Sequence, residues 1–269
     1  MLKNKKIGFI GAGNMATAII GGLIGSGAVR AGDVYISEKD KRKRLKKAGL
    51  LKVGQVQDNK ELLERCDIVV LSVKPQDIDA VLAEIKELPG YGKLIISIAA
   101  GITTKHIKKY LLKTSVVRAM PNIGCLKEKS VTAVCFGGGV DIKAKKAVRA
   151  IFCAVGKVEE VSEKQMDAVT ALSGSGPAYI AYICKALAAA ALEEGLSKKK
   201  ARRLIFETVL STVFLLSEKN MDFDKLIKMV ASKGGTTEAA LKVYESSKLD
   251  KILKEGIKAA VKRSKKLSK

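Results

Sequence analysis

The residues with the clearest chemical meaning lie near the start of the chain, where Gly11 to Ala16 read Gly-Ala-Gly-Asn-Met-Ala. This matches the G-x-G-x-x-G/A spacing of dinucleotide-binding turns, in which Gly11 permits a tight turn and Gly13 lets a pyrophosphate approach the backbone. Small Ala16 lets the following helix pack closely on the preceding strand. Free amides and the helix dipole at such a helix start favour an anion. The motif predicts a diphosphate site, and an ordinary glycine-rich turn is the alternative.

The residues after the second predicted strand bear on which dinucleotide binds. Glu38 lies close to the expected place of the acidic residue, about 20 residues beyond the glycines, that binds the ribose hydroxyls. A carboxylate there favours NAD, whereas Lys39, Lys41 and Arg42 follow directly and favour the 2′-phosphate of NADP. We therefore expect NADPH or NADH as the coenzyme, and the choice stays open.

Two further strand ends are expected to line the coenzyme. The β-branched run 67–73 has the composition of a strand buried on both faces of a parallel sheet, and it is followed by Lys74-Pro75. Because ligands in open α/β sheets bind outside the carboxyl ends of the strands, Val73, Lys74 and Pro75 should lie beside the coenzyme. Pro75 is equally explained as the first residue of a helix. Ala99-Ala100-Gly101 follows another apolar run, and its small side chains leave room for a ligand.

Two loops in the second half of the chain have the composition of anion sites. The stretch 171–179, read ALSGSGPAY, precedes an apolar helix, and its amides and hydroxyls, Ser175 among them, are suited to a carboxylate. The stretch 231–238, read ASKGGTTE, places two glycines and two threonines at another helix start. An anionic substrate suits either loop, and a helix-capping loop without a ligand is the alternative for each.

Several kinds of catalysis are disfavoured by composition. The five cysteines show no C-x-x-C spacing and lie in apolar surroundings, which is typical of buried free thiols. His106 is the one histidine and follows Lys105 on a predicted surface helix. We therefore expect no metal site and no histidine-based triad.

The chain carries a formal net charge of +23, spread as lysines along helices. Nucleic-acid binding would be helped by aromatic residues between the basic ones, but aromatic residues make up 4% of the chain and tryptophan is absent. We expect no nucleic-acid partner and interpret the charge as solvated basic helix faces. The sequence has no apolar run of the ~18 to 20 residues that span a bilayer, so we expect no membrane partner and a cytoplasmic location.

The elements that must position these residues alternate between strand and helix up to residue 161. Strands are predicted at residues 7–10, 33–37, 51–53, 67–73, 93–99, 116–120, 132–136 and 156–161. This alternation predicts a Rossmann-type doubly wound parallel sheet over 1–161, which is the dinucleotide-binding domain. From residue 162 apolar residues recur every three or four positions, which predicts an all-α domain over 162–269. The alanine-rich helix 178–192 is apolar nearly all round, so we expect a second subunit to cover it in a homodimer.

The chain resembles the pyrroline-5-carboxylate reductase family over essentially its full length. The resemblance lies in the motifs IGFIGAGNMA, SVKP, RAMPN, DAVTALSGSGPAY and SKGGTTEAAL, in the family's order. It implies NAD(P)H-dependent reduction of 1-pyrroline-5-carboxylate to L-proline, the last step of proline biosynthesis. It also implies a homo-oligomer built on the helical domains, with a dimer unit and possible growth to a decamer.

The resemblance also assigns residues to the site. It implies coenzyme contacts from Gly11, Ala12, Gly13, Asn14, Met15, Ser37, Asn59, Ser72, Val73, Lys74, Pro75 and Ala100. It implies a substrate pocket made by Glu163, Gly234, Gly235, Thr236 and Thr237, and Ser175 is a further candidate for substrate binding. Glu163 is equally explained as an acidic residue in a first helical turn after Ser162. Lys233 stands where the family often has proline, and Ile123 where it often has threonine, which puts the shape of those loops in doubt.

The expected chemistry agrees with the scarcity of histidine. A cyclic imine protonated at nitrogen is already electrophilic, so hydride transfer needs positioning and a held carboxylate more than a strong base. We expect amides at Gly234 to Thr237 to hold the carboxylate and the Thr237 hydroxyl to bond the ring nitrogen as the catalytic residue. A β-hydroxyacid dehydrogenase, which would need Lys185 as its proton acceptor, and a non-catalytic NAD(P)-binding protein are the alternatives.

Overall fold

The computed structural model describes residues 2, 4–88 and 92–267. These residues form an eight-stranded sheet in the order β3-β2-β1-β4-β5-β6-β7-β8. The strands are β1 (Ile7–Ile10), β2 (Val34–Ser37), β3 (Gly54–Gln55), β4 (Ile68–Leu71), β5 (Leu94–Ser97), β6 (Ser115–Met120), β7 (Ser130–Phe136) and β8 (Gly156–Glu160). The predicted α/β fold with a predominantly parallel sheet is confirmed.

The centre of the sheet is built from short apolar strands that are buried on both faces. All residues of β1, β4 and β5 are buried, which explains why they are apolar without alternation. In the parallel pair β1 and β4, Ile10 lies opposite Leu71, so both strands end at the same level. From β1 the strand order runs outward to β2 and β3 on one side. The chain then returns to the centre, and the order runs outward from β4 to β8 on the other side. This reversal creates a crevice at the carboxyl ends of β1 and β4, where open α/β sheets bind ligands.

One strand departs from the parallel arrangement. β7 runs antiparallel to β6, with Arg118 opposite Cys135 and Met120 opposite Ala133. Only residues 121–129 join the two strands, and a parallel crossover needs a connection of about a dozen residues or more. β8 then returns parallel to β7 after a helix. The described sheet is therefore parallel except at this one pair.

The helices of the first part follow the strands in alternation. They are α1 (Asn14–Gly25), α2 (Lys41–Leu51), α3 (Asn59–Arg65), α4 (Ile78–Ile85), α5 (Thr104–Tyr110), α6 (Ile142–Cys153) and α7 (Met166–Val169). Asp40, Asp58 and Asp141 begin α2, α3 and α6 as N-caps, each accepting a hydrogen bond from a first-turn amide. One apolar cluster contains α1 and α6 residues, and a second contains α3, α4 and α5 residues. Both faces of the sheet are thus covered.

Element ends differ from the sequence predictions in places. The short strand predicted at 51–53 is wrong, because α2 continues to Leu51 and the strand begins at Gly54. Lys52 adopts a left-handed conformation with φ 55° and ends the helix, so the chain reaches the sheet two residues later. The other seven predicted strands all begin and end within two residues of the predicted bounds.

The cysteines and the histidine also differ from expectation in part. All five cysteines are free, but Cys153 is exposed at the end of α6 and Cys184 is half-buried, whereas burial was predicted. Burial raises the pKa of Cys66 to about 12, so this thiol stays protonated at neutral pH. On the predicted surface helix, the His106 side chain is only 11% exposed and lies 2.6 Å from Asp79 Oδ1. Among the described residues no cluster of possible metal ligands occurs.

The chain divides into two compact units. The first extends to Ser175 and includes the segment from Ala260 onward, and the second is Gly176–Ala259. The predicted boundary at 161/162 falls before the first residue of a 3-10 turn, Glu163–Gln165, and it stays a prediction. The final helix, α12 (Leu249–Leu267), contributes its last residues to the first unit. Ser268 and Lys269, the end of the predicted helical domain, lie outside the described residues.

The second unit is helical and exposes much apolar surface. It contains α8 (Gly176–Glu193), α9 (Lys198–Leu216), α10 (Phe223–Val230) and α11 (Thr236–Ser246). None of the residues of α8, all of which the structure describes, is buried. Tyr182 on α8 is 73% exposed and Phe206 on α9 is 64% exposed. Large apolar side chains exposed together are typical of a surface that another chain covers.

Candidate active site

The glycine-rich turn after β1 is held against the loop after β4. Gly11 has φ +94°, and a Cβ atom at this position would lie 2.9 Å from the Ser72 carbonyl oxygen. The Ser72 hydroxyl lies 2.7 Å from the Gly11 carbonyl oxygen and 2.9 Å from that of Ile10, so it can donate to either. Only glycine fits such a close approach with a positive φ. Ser72 therefore shapes the turn through its hydroxyl.

The start of α1 leaves room and hydrogen-bond donors for an anion. Gly13 is the N-cap of α1, and a Cβ atom there would meet nothing within 4 Å. In the described structure no side chain caps this helix and its first turn has no acidic residue. The amides of Asn14 and Met15 lie in the first turn, where a helix offers no carbonyl partner. This end of α1 therefore provides an open cradle for a diphosphate.

Glu38 follows β2 directly and lies beneath the glycine-rich turn. Its carboxylate oxygen Oε2 accepts hydrogen bonds from the Ala12 amide at 3.2 Å and from Lys43 Nζ at 2.5 Å. Burial by itself would raise the pKa of Glu38, but the hydrogen bonds from Lys43 and Ala12 outweigh it and hold the pKa below its usual value. Glu38 is therefore ionised at neutral pH. The Ala12 amide is directed to this carboxylate rather than to the cradle.

Ser37 and Asn59 lie together beside Glu38. The Ser37 hydroxyl donates to Asn59 Oδ1 at 2.6 Å, and Asn59 Nδ2 donates to Glu84 Oε2 at 2.7 Å. These two hydrogen bonds link the end of β2 to the start of α3, and the start of α3 to the end of α4. It fixes the orientation of the Asn59 amide group at the edge of the crevice.

The remaining predicted coenzyme residues lie at the neighbouring strand ends. The Val73 Cγ1 atom is 3.0 Å from the position of a Cβ on Gly11, so Val73 packs directly against the turn. Lys74 is the exposed N-cap of the 3-10 turn that begins at Pro75. Ala100 packs against a small cluster that includes Met120 and Met166. The structure thus brings the predicted coenzyme residues to the carboxyl edge of the sheet, and their contacts with a coenzyme stay a prediction.

Glu163 is bonded to a residue of β6 and to the first residue of α5. Its Oε1 atom accepts a hydrogen bond from Arg118 Nη1 at 3.0 Å, and its Oε2 atom accepts one from the Thr104 hydroxyl at 2.6 Å. The Arg118 side chain is 2% exposed and that of Glu163 is 32% exposed. Of the described atoms, Nε and Nη2 of Arg118 are buried without a hydrogen-bond partner. Glu163 is therefore the carboxylate that compensates a buried guanidinium.

Cys135 lies at the border of this cluster. Its Sγ atom is 3.8 Å from Glu163 Oε2. The pKa of Cys135 is raised to about 11. Burial is the largest cause, and the negative charge of Glu163 is the second. The thiol is therefore protonated at neutral pH and is no nucleophile.

The loop that contains Ser175 has an irregular helical turn. Residues Thr170–Gly174 form a π-helical turn, which the Ser175 amide closes by donating to the Thr170 carbonyl at 3.0 Å. The Ser175 hydroxyl lies 3.3 Å from the same carbonyl oxygen. Asn122, from the RAMPN motif, donates through Nδ2 to the Ser173 carbonyl at 3.3 Å. Such π-turns are frequent at functional sites, and this one joins two of the recognised motifs.

The glycine-threonine turn lies in the second unit, at the start of α11. Gly234 has φ +73°, and its amide donates to Glu238 Oε2 at 2.5 Å. The Gly235 amide donates to the Ser232 carbonyl at 3.0 Å. Thr236 and Thr237 are the first two helical residues, so their amides have no carbonyl partner one turn earlier. The turn therefore offers the amides of the two threonines, not those of the two glycines.

Sequence reasoning missed four residues that hold the site in place: Lys43, Thr104, Arg118 and Glu238. The Glu238 contact had a local signal, because an acidic residue at the third helical position often bonds back to the amides before the helix. The partnership of Arg118 and Thr104 with Glu163 had no such signal. These residues are 45 and 59 positions from Glu163.

A doubly wound sheet, an open helix start at its switch point and a fixed carboxylate after β2 define an oxidoreductase of the nicotinamide-dinucleotide class. Two family models match the chain. One describes NADP oxidoreductases dependent on coenzyme F420 and covers residues 6–101, and the other describes pyrroline-5-carboxylate reductase dimerisation and covers residues 163–267. The pyrroline-5-carboxylate reductase 2 of Bacillus subtilis (strain 168) is 36% identical over 97% of this chain and 94% of its own. The chain belongs to the pyrroline-5-carboxylate reductase family.

Solved structures agree with this membership. A pyrroline-5-carboxylate reductase from Coxiella burnetii is 39% identical, covers 99% of this chain and 100% of its own, and superposes with a TM-score of 0.91. The pyrroline carboxylate reductase of Plasmodium falciparum, solved with NADP bound, is 28% identical, with 99% of both chains covered and a TM-score of 0.89.

Removal of the Glu163 carboxylate tests the role of the buried ion pair. Glu163→Ala leaves the guanidinium of Arg118 buried and uncompensated, so we expect a loss of about 2 kcal/mol in the free energy of unfolding, less than for a fully buried pair because Glu163 is partly exposed. The matched control is Glu160→Ala, which removes an exposed carboxylate bonded to Arg149 at 2.7 Å. The control should cost about 1 kcal/mol or less. Equal losses for both variants in urea unfolding would contradict the assignment.

Proposed function

We propose that this chain reduces the C=N bond of 1-pyrroline-5-carboxylate to give L-proline, the closing step of proline biosynthesis, with hydride from NADH or NADPH. The observation that carries the proposal is the identity of 36% with a pyrroline-5-carboxylate reductase over 97% of the chain. The open start of α1 at the sheet's switch point supplies the matching dinucleotide site. A β-hydroxyacid dehydrogenase activity is the alternative considered from the sequence.

The coenzyme supplies the hydride, and the residues of the chain have to bind and orient both reactants. We assign the diphosphate to the amides of Asn14 and Met15 and the open space at Gly13. Ser37, Glu38 and Asn59 lie where the adenosine ribose is expected in doubly wound folds. Ser72 to Pro75 and Ala100 border the crevice on the side of β4 and β5.

The substrate carboxylate is assigned to the start of α11. Because Gly234 and Gly235 already donate their amides within the turn, we assign the anchoring to the amides of Thr236 and Thr237. The glycines then contribute the shape of the turn, with φ +73° at Gly234. The Thr237 hydroxyl donates to or accepts from the ring nitrogen as the imine becomes an amine. This requires no histidine, because the protonated imine is itself the electrophile.

Glu163 and Ser175 are kept as proposed pocket residues. The Glu163 side chain is 32% exposed, so it can face a ligand while it bonds Arg118 and Thr104. Ser175 ends the π-turn and precedes α8. A carboxylate fixed in this way favours a cationic ring nitrogen nearby, as in a protonated imine.

We propose that the functional protein is at least a homodimer. Residues 163–267 match the dimerisation model, and α8 and α9 expose aromatic and aliphatic side chains. Contrary to the sequence expectation that no segment is long and apolar enough, the helical segment Glu163–Glu193 would be able to cross a membrane by length and composition alone. Its inclusion in the dimerisation match favours a second copy of the chain as the cover for its apolar face. A decamer and a cytoplasmic location stay predictions.

The oligomeric state can be read directly from the mass in solution. The chain has a mass of 28.8 kDa, and sedimentation equilibrium should give twice this mass or an even multiple of it. The physical reason is the apolar surface of α8 and α9, which is costly to leave in water. A monomeric mass at micromolar concentration would contradict the proposed dimer.

The activity itself is tested by steady-state oxidation of NADH and NADPH with 1-pyrroline-5-carboxylate. We expect coenzyme oxidation that depends on the imine, with proline as the product. The comparison reaction is oxidation of β-hydroxyacids with NAD⁺ and NADP⁺, for which we expect no turnover. Turnover of hydroxyacids without turnover of the imine would reject the proposed function.

The catalytic role of Thr237 is tested by removing its hydroxyl. Thr237→Ala should lower kcat by more than about tenfold, or about 1.4 kcal/mol of transition-state stabilisation. Thr237→Ser keeps a hydroxyl and serves as the matched control, with kcat near that of the unchanged protein. Equal kinetics for the alanine variant and the unchanged protein would remove Thr237 from the mechanism.

A further inference from the structure

The position of the Glu38 carboxylate bears on which nicotinamide coenzyme this chain prefers. Glu38 follows the last residue of β2, beside the glycine-rich turn, and only 8% of it is exposed. In doubly wound folds this is where an acidic residue accepts hydrogen bonds from the ribose hydroxyls. The same place in space receives the 2′-phosphate when the coenzyme is NADP.

Three donors fix the carboxylate in one orientation. Oε2 accepts from the Ala12 amide at 3.2 Å and from Lys43 Nζ at 2.5 Å. Oε1 accepts from the Asp40 amide at 3.4 Å, which is a long hydrogen bond. A carboxylate oxygen can accept two hydrogen bonds, so Oε1 retains capacity for a hydroxyl donor. Glu38 is thus held in place, and hydrogen-bond capacity is left on its Oε1 atom.

The basic residues near Glu38 are less suited to a 2′-phosphate than the sequence indicates. The ammonium group of Lys43 is committed to Glu38, and Lys39 Nζ lies 3.7 Å from Asp77 Oδ1. The buried Arg44 donates to the carbonyl oxygens of Glu38 and Gln57 through Nη1, at 3.1 and 3.2 Å.

Two further cations near Glu38, Lys41 and Arg42, are exposed in the first turn of α2. To bind a phosphate they would have to give up side-chain freedom. They would also have to place the phosphate beside the fixed charge of Glu38. Like charges placed together in a binding site penalise the wrong ligand strongly.

We propose that this chain prefers NADH to NADPH, because Glu38 accepts a hydrogen bond from the adenosine ribose and repels a 2′-phosphate. The inference rests on the proposed function, since it concerns the coenzyme of that reaction. The Plasmodium falciparum relative was solved with NADP bound, and the inference for this chain is drawn from its own Glu38 carboxylate.

The experiment is a titration of the full-length protein with NADH and with NADPH, without the imine, followed by nicotinamide fluorescence. NADH should bind the unchanged protein at least about tenfold more tightly, a difference of about 1.4 kcal/mol. Glu38→Ser removes the charge and opens space, and should shift the ratio of the two Kd values toward NADPH by at least about thirtyfold. Glu38→Gln keeps the size of the side chain and should shift the ratio in the same direction.

The matched control is Asp33→Asn, at the opposite end of β2. Asp33 pairs with Arg30 at 2.8 Å, at the amino end of the strand, away from the carboxyl edge of the sheet. This variant loses the same charge and should keep the ratio of the unchanged protein. Thermal unfolding followed by circular dichroism identifies any variant that fails to fold. The comparison of the NADH and NADPH Kd values of the unchanged protein does not depend on any variant.

The outcomes separate the two proposals. Equal or tighter binding of NADPH by the unchanged protein overturns the NADH preference and leaves the proposed reductase function standing. A preference for NADH that survives in both folded Glu38 variants overturns the role of Glu38. Failure of the unchanged protein to bind either coenzyme overturns the dinucleotide site, and with it the proposed function.

Discussion

The close approach of two backbone loops at the switch point of the sheet is the constraint on which the rest of the site depends. The turn at Gly11 lies against the carbonyl of Ser72, at a distance that excludes any side chain. The hydroxyl of Ser72 lies within hydrogen-bond distance of the carbonyls of Ile10 and Gly11. Because β1 and β4 end at the same level, this contact lies where the chain leaves β1 for α1, whose start has no side-chain cap. A diphosphate site then follows from backbone geometry alone.

Around this turn, the charged groups that matter are fixed by partners, in contrast to the many solvated lysines that produce the net charge of +23. Glu38 is held by a lysine and a backbone amide, and Glu163 by a buried arginine and a threonine. Fixed charges act strongly on a bound ligand, because they do not reorient and because water screens them poorly in a partly buried site. We therefore propose that the two carboxylates influence the coenzyme and the substrate more than the net charge of the chain does.

The two halves of the reaction are assigned to different units of the chain. The dinucleotide site belongs to the sheet-containing unit, whereas the threonines that we assign to the substrate carboxylate begin α11 in the helical unit. The helical unit leaves apolar side chains of α8 and α9 exposed, in the region that matches a dimerisation model. Burial of such a surface would add stability to a unit that has few buried residues of its own.

The sequence alone determined the order and type of the elements, the dinucleotide motif and the family. It did so because hydrophobic periodicity, glycine spacing and helix caps are local signals, carried by residues close together in the chain. Only the tertiary structure decided that β7 runs antiparallel and that the Ala12 amide is directed to Glu38. It also decided that Glu163 compensates Arg118 and that the glycine amides before α11 are already occupied. Most of these outcomes depend on which distant residues meet at the sheet edge, and each donor or acceptor can take only a few partners. Local sequence patterns do not show which distant groups use up a given donor or acceptor. The tertiary structure alone therefore decides which groups remain available to a ligand.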